Sequence, residues 1–155
     1  MGLSEFIIDS KVGDIEIGVD ISYSKMNFDV IQSEDGGTPA LLELKYERID
    51  FQITSFRSVV IGISYDFEYT PNKFYEIKHG TLSGKIGYKS NLNDVQKMLD
   101  YFNLEYKIFK CEKVESTELH LLKSNIILKF INPQLDILCK AYVFDMDLYN
   151  KISNV

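Results

Sequence analysis

Cys111, His79 and His120 are the side chains of this sequence best suited to nucleophilic or acid–base chemistry, and their surroundings argue against it. A catalytic thiol needs a base to take its proton and a setting that favours the thiolate. Cys111 lies in "IFKCEKVES", at the end of an expected strand, where an idle or buried thiol is the plainer reading. His120 lies in "ELHLL", a strand-like stretch in which a packed or surface histidine is the default. No Gly-x-Ser-x-Gly elbow presents a serine nucleophile. Neither histidine has a His, Cys or carboxylate partner at metal-ligand spacing on a helix. The acidic pair of "DMD", Asp145 and Asp147, reads as solvated rather than as a cation site. "GTLSGKIG", from Gly80 to Gly87, lacks the Gly-x4-Gly-Lys-Ser/Thr spacing of a phosphate cradle and reads as a turn into a strand. Carboxylates are abundant, but sequence sets no two of them at the separation that glycoside chemistry requires. The expectation is a chain with no catalytic residue, no metal and no cofactor.

Charge is the more informative signal. Residues 1–77 hold 14 Asp and Glu against six Lys and Arg, a net of −8, while residues 78–155 come to +2. An acidic half repels phosphate backbones and anionic lipid, so neither nucleic acid nor membrane is the expected partner. A cationic protein surface is favoured, because opposed fields raise encounter rates and penalise wrong partners. Candidate partner-binding residues are Glu34 and Asp35 before the Gly36–Gly37 pair, then Glu43, Tyr46 and Glu47, then Tyr65, Asp66 and Glu68, with Tyr69 beside them. Tyrosine among charges is the composition of an interface centre. The competing reading is that these residues simply line solvated strand faces.

These residues need elements to position them. With 155 residues, 45% of them apolar, the chain can build one ordinary core, and a single globular domain over 1–155 is expected. "NLNDVQKMLDYFN" sets Leu92, Val95, Leu99 and Phe102 on one helical face, with Asn91 as cap, Asp94 in the first turn and Asn103 closing the far end. A shorter helix is expected over "KMNFDVIQ", capped by Ser24 and ended by the glycine pair. Alternation marks strands in "LLELKYE", "IDFQIT", "VVIGISYDFE", "LEYKIFK", "ELHLL", "NIILKF" and "DILCKAYVF". "EFIIDS" and "DIEIGVD" read as a hairpin turning at Val12-Gly13-Asp14. The fold class is therefore α+β, a mainly antiparallel sheet with one or two helices packed on it.

Two stretches recur. "ISYSKMNFDV" from Ile21 shares Ile, Tyr, Asp and Val with "IGYKSNLNDV" from Ile86. Arg48–Glu68 and Asn125–Asp145 align without gaps as two strands and a turn, "TSFRS" in one and "INPQL" in the other. A tandem repeat would place its halves at 13–70 and 80–147, with about 12 added residues near "EKVESTELHLLKS" in the second.

This doubled layout of a helix followed by antiparallel strands resembles the tandem architecture of the beta-lactamase inhibitory protein. It is also similar to the small immunity proteins that bacteria make against their own exported toxins. The resemblance implies an inhibitor that blocks a toxin, and the acidic first half points to a nuclease whose substrate groove is cationic. "MGLSEFIIDS" lacks the basic start and apolar run of a secretory signal, and Phe6 stands where myristoylation wants Ser or Thr. With two cysteines and no disulfide framework, a cytoplasmic protein is expected. The alternatives are a small enzyme or ligand-binding domain with a pocket between the halves, and an assembly factor whose strand edges pair with a partner. The oligomeric state is left open.

Overall fold

The computed structural model describes residues 2–131 and 136–154. The described residues form three α-helices, α1 (Gly2–Asp9), α2 (Leu92–Tyr101) and α3 (Met146–Ser153). The first half contributes strands β1 (Asp29–Gln32), β2 (Ala40–Tyr46), β3 (Ile49–Phe56) and β4 (Val59–Asp66). A hairpin of β5 (Phe74–His79) and β6 (Leu82–Gly87) precedes α2. Strands β7 (Tyr106–Cys111), β8 (Ser116–Leu121), β9 (Ile127–Ile131) and β10 (Ile137–Phe144) follow it. All but β5 and β6 join one antiparallel sheet in the order β1-β2-β3-β4-β10-β9-β8-β7. The α+β fold with a large antiparallel sheet is thus as the sequence indicates.

Alternation decides which face of the sheet is covered. Ile49, Phe51 and Ile53 of β3 are buried, while Asp50 between them is exposed. They join Leu44, Ile63, Leu119, Leu128 and Ala141 of other strands in one core cluster. The same cluster takes in Leu3, Phe6 and Ile7 of α1, Ile77 and Ile86 of the hairpin, and Val95 and Leu99 of α2. Helices and hairpin therefore cover one face. Helix α3 instead packs against β4 at the end of the sheet. A register shift between Thr54 and Ser55 leaves Phe56 outside the main cluster, with its ring 5.1 Å from that of Tyr149. Arg57 Nη1 donates to the Ile152 carbonyl near the end of α3, at 2.7 Å.

The helix expected at 92–102 is α2, and its cap is the expected one. Asn91 accepts from the Asp94 N–H at 2.8 Å, and the Asp94 carboxylate accepts from the Asn91 N–H at 3.4 Å. Asn103 takes the left-handed conformation, φ 57°. The "TSFRS" turn is also present, with Arg57 and Ser58 both at positive φ between β3 and β4. Residues 132–135, most of the "INPQL" turn, lie outside the described residues.

Several elements differ from expectation, among them β5, a strand where none was expected, and "DIEIGVD", which carries isolated bridges rather than a strand. "EFIIDS" is helical rather than the first strand of a hairpin, because Leu3, Phe6 and Ile7 recur at helical spacing and all three are buried. The tight turn itself exists, with Val12 bridged to Ile15 around Gly13 at φ 60°. "KMNFDVIQ" is not a helix. Ser24 donates to the Asp14 carboxylate, and Asp29–Gln32 pair with β2 as an edge strand. Met26, Val30 and Ile31 make no helical stripe, whereas the edge of β2 offers free backbone groups. Helix α3 follows β10 where the sequence suggests no helix, and Asp145 caps it by accepting from the Leu148 N–H. The first recurring pair therefore occupies unlike elements. The second holds β3–β4 and β9–β10, two hairpins that meet where β4 pairs with β10. No helix among the described residues is long and apolar enough to cross a membrane.

The open sheet face as candidate functional site

The face not covered by α1, α2 and the hairpin is built by every second residue of the eight strands. β2 contributes Leu41, Glu43 and Lys45, paired with Thr54, Gln52 and Asp50 of β3. β4 and β10 meet through Asp66 opposite Lys140, Ser64 opposite Tyr142, and Gly62 opposite Phe144. A Cβ at Gly62 would lie 2.7 Å from the Phe144 ring, so glycine there lets that ring lie flat on the sheet. β8 and β9 add Glu118 opposite Lys129 and His120 opposite Ile127.

Two local structures stand out on this face. One is a groove of about 470 Å³ over β2–β4, lined among others by Glu43, Asp50, Asp66, Lys45, Lys73 and the largely exposed Tyr69. Lys45 Nζ lies 3.8 Å from Asp50, and Arg48 also lines the groove, so cations and carboxylates alternate within it. At its rim Asp29 of β1 stands directly opposite Glu43, two like charges side by side. The other is a polar network on the second half. Tyr142 Oη donates to Glu118 Oε2 at 2.8 Å, and His120 Nε2 lies 3.0 Å from Glu118 Oε1. The Phe109 ring of β7 packs on His120 at 4.4 Å. Burial pushes the Glu118 carboxyl up, but the hydrogen bonds from His120 and Tyr142 outweigh it and hold the group below the ordinary glutamate range. Burial and the Glu118 carboxylate together raise the Tyr142 hydroxyl.

The eight residues named from the sequence do not form one patch. Glu43 and Asp66 lie on the open face and share the groove, whose lining also includes the edge of the buried Tyr65. Tyr65, the neighbour of Asp66, points the other way and is 4% exposed, its hydroxyl bonded to Tyr75 at 2.7 Å and Thr70 at 2.9 Å. Tyr46 packs against the core and Gly2 on the covered side. Neither tyrosine is available to a partner on the open face. Glu34 and Asp35 lie beyond β1, where Glu34 accepts from the Arg57 N–H at 2.6 Å and Asp35 bridges to Thr38. Glu47 sits at the opposite end of β2, in the turn to β3. Glu68 follows β4 in a 3-10 turn and accepts from the Cys139 thiol, which burial and that carboxylate push up to about 12. The face also includes residues not singled out from the sequence: Asp29, Asp50, Glu118, Tyr142 and Phe144. The alternation of "KAYVFD" carried the signal for the last two.

The residues considered for catalysis stand apart. The His79 ring packs on Phe102 at 6.0 Å. Cys111 lines a recess of about 290 Å³ with Glu112, Glu115 and Asp136. Among the described residues no group of three or more His, Cys, Asp or Glu is placed to hold a metal ion. Between the two halves, at the β4–β10 pairing, the open face has a depression of about 200 Å³ lined by Gln52, Lys140, Tyr142 and Phe144. A larger cleft of about 620 Å³ lies where Phe144 and α3 approach Glu16 and Lys123. No family model, curated protein or solved structure matches the chain.

Proposed function

We propose that the chain is a non-catalytic immunity protein that docks a toxin on its open sheet face, in the cytoplasm of the cell it protects. The observation that carries this reading is the Asp29–Glu43 pair. Like charges directly opposite each other cost stability, and among the described residues neither carboxylate has an ion-pair partner. A cationic side chain of a partner would relieve that repulsion on binding. The neighbouring groove, with Asp50, Asp66, Lys45 and Lys73, supplies patterned charge that fixes orientation more than affinity. Exposed Phe144 and half-buried Tyr142 give the face an aromatic centre. A nuclease domain fits best, because its substrate groove must be cationic and Asp29, Glu43, Asp50 and Asp66 bring carboxylates to the open face of the first half.

The test is co-expression with the protein encoded beside this gene. The expected result is rescue of growth and a stable complex. In that complex Asp29→Asn with Glu43→Gln weakens association and flattens its salt dependence, while the free chain becomes no less stable. Absence of both complex and rescue overturns the proposal.

A further inference from the structure

The two edges of the eight-stranded sheet are unlike. β1 has four residues, and its pairing with β2 shifts register between Val30 and Gln32. A short, irregular edge is a poor template for another chain. β7 is the reverse. Its six residues pair with β8 in unbroken register, from Tyr106 opposite Leu121 to Cys111 opposite Ser116. Among the described residues no strand pairs with its other side. Ile108 and Phe109 at its centre are 43% and 49% exposed. β7 thus presents an unbroken row of free backbone donors and acceptors around an apolar centre.

We infer that β7 is a homodimer interface: a second copy of this chain pairs its β7 antiparallel to the first, across a two-fold axis normal to the sheet at Phe109. Charge selects this occupant. Lys107 and Lys110 flank the centre, and lysines on an edge ordinarily block self-pairing. A Lys107–Lys110 pairing would set an odd-numbered residue against an even-numbered one, and so an open-face side chain against a covered-face one, which a two-fold axis normal to the sheet forbids. Lysine meets lysine only in the registers centred on Lys107 or on Lys110, and like-charge repulsion disfavours both. With Phe109 on the axis, Lys107 falls opposite Cys111 and Ile108 opposite Lys110, and no like charges meet. Glu105, just before the strand, approaches the turn that carries Lys113 in the other copy. The two Phe109 rings, each already resting on its own His120, become cross-strand neighbours. Pairing in the plane of the sheet leaves both open faces free and joins them into one. The inference does not depend on the immunity reading.

So short a contact buries less than the ~1,600 Å² of a standard interface, so dimerisation must depend on concentration. Sedimentation equilibrium of the full chain over a concentration series is the test. The expected result is a shift from monomer to dimer mass and no further, because two-fold pairing closes. Phe109→Lys, at an exposed edge, weakens the dimer about tenfold or more with an unchanged circular dichroism spectrum. Phe109→Cys in a Cys111→Ser, Cys139→Ser background gives a disulfide-linked dimer on oxidation, since residues on the axis are directly opposed. Monomer mass at every concentration, growth beyond a dimer, or a dimer indifferent to Phe109→Lys overturns the inference. So does failure of the Phe109→Cys protein to cross-link where the parent dimerises.

Discussion

Tyr65 and Asp66 are neighbours in the chain and part company at the sheet. Tyr65 buries its ring against Phe51 and Phe67, while Asp66 faces Lys140 on the open side. A period of two allows nothing else, and it divides a run of charged and aromatic residues that looks continuous when read along the chain. The same rule puts Glu118, His120 and Tyr142 on one face, although 24 positions separate the first from the last. Glu118 lends itself to a test by pH. Its folded pKa lies below its unfolded value, near ~4.3 for a free glutamate. Its contribution to stability is therefore fully present above that unfolded value. It is lost as pH falls through the lowered folded value, where the folded state must also take up the proton. Glu118→Gln cannot titrate. In urea unfolding, the stability difference between parent and Glu118→Gln is expected to be present at about pH 7 and to shrink by about pH 3. A difference constant between those two pH values would show that the hydrogen bonds to His120 and Tyr142 do not hold Glu118 ionised.

At the scale of elements, legibility tracked how much of each signal is local. α2 was legible because everything that specifies it lies within 13 residues: a cap at Asn91, an apolar stripe, and a left-handed stop at Asn103. The strands of hairpins were legible for the same reason. The two-residue turns Glu47–Arg48 and Arg57–Ser58 join β2 to β3 and β3 to β4, and alternation runs up to each turn. β1 was not legible. Its four residues are all exposed, so no buried side chain writes a pattern, and only the distant partner β2 makes them a strand. α1 differs from the expected strand because "FII" serves a helix as well as a strand, and the choice is made by the core that receives Leu3, Phe6 and Ile7. The cap of α2 gives this scale its prediction. Asn91→Ala deletes the acceptor for the Asp94 N–H and one side of a reciprocal pair. The expected loss is about 1 kcal/mol in equilibrium unfolding, with Asn91→Ser close to the parent. Equal losses in both variants would mean that the side-chain acceptor is not what holds the helix start.

At the scale of the whole molecule, alternation says which face a strand offers but not which strand lies beside it. β4 and β10 pair through Asp66 and Lys140, 74 positions apart, and nothing local announces that junction. The charge split was legible as a sum, yet the fold disperses it. Glu5 and Asp9 lie on α1, Glu34 and Asp35 beyond the end of β1, while Asp29, Glu43, Asp50 and Asp66 reach the open face of the first half. What unites the halves is the core. Phe6 and Phe51 from the first half pack in the same cluster as Val95, Leu128 and Phe130 from the second. Two four-stranded halves joined by a ladder alone would open separately, whereas halves sharing one core must open together. Native-state hydrogen exchange distinguishes the two. The most protected amides of β3 and of β9 are expected to exchange with the same free energy of opening. Leu128→Ala removes a fully buried side chain from β9 and is expected to cost about 2–5 kcal/mol. That loss must appear equally at the β3 amides, although β3 makes no strand pair with β9. A loss confined to β7–β10 would mean two cooperative units, and the open face would then be a surface whose halves can move apart rather than one rigid platform for a partner.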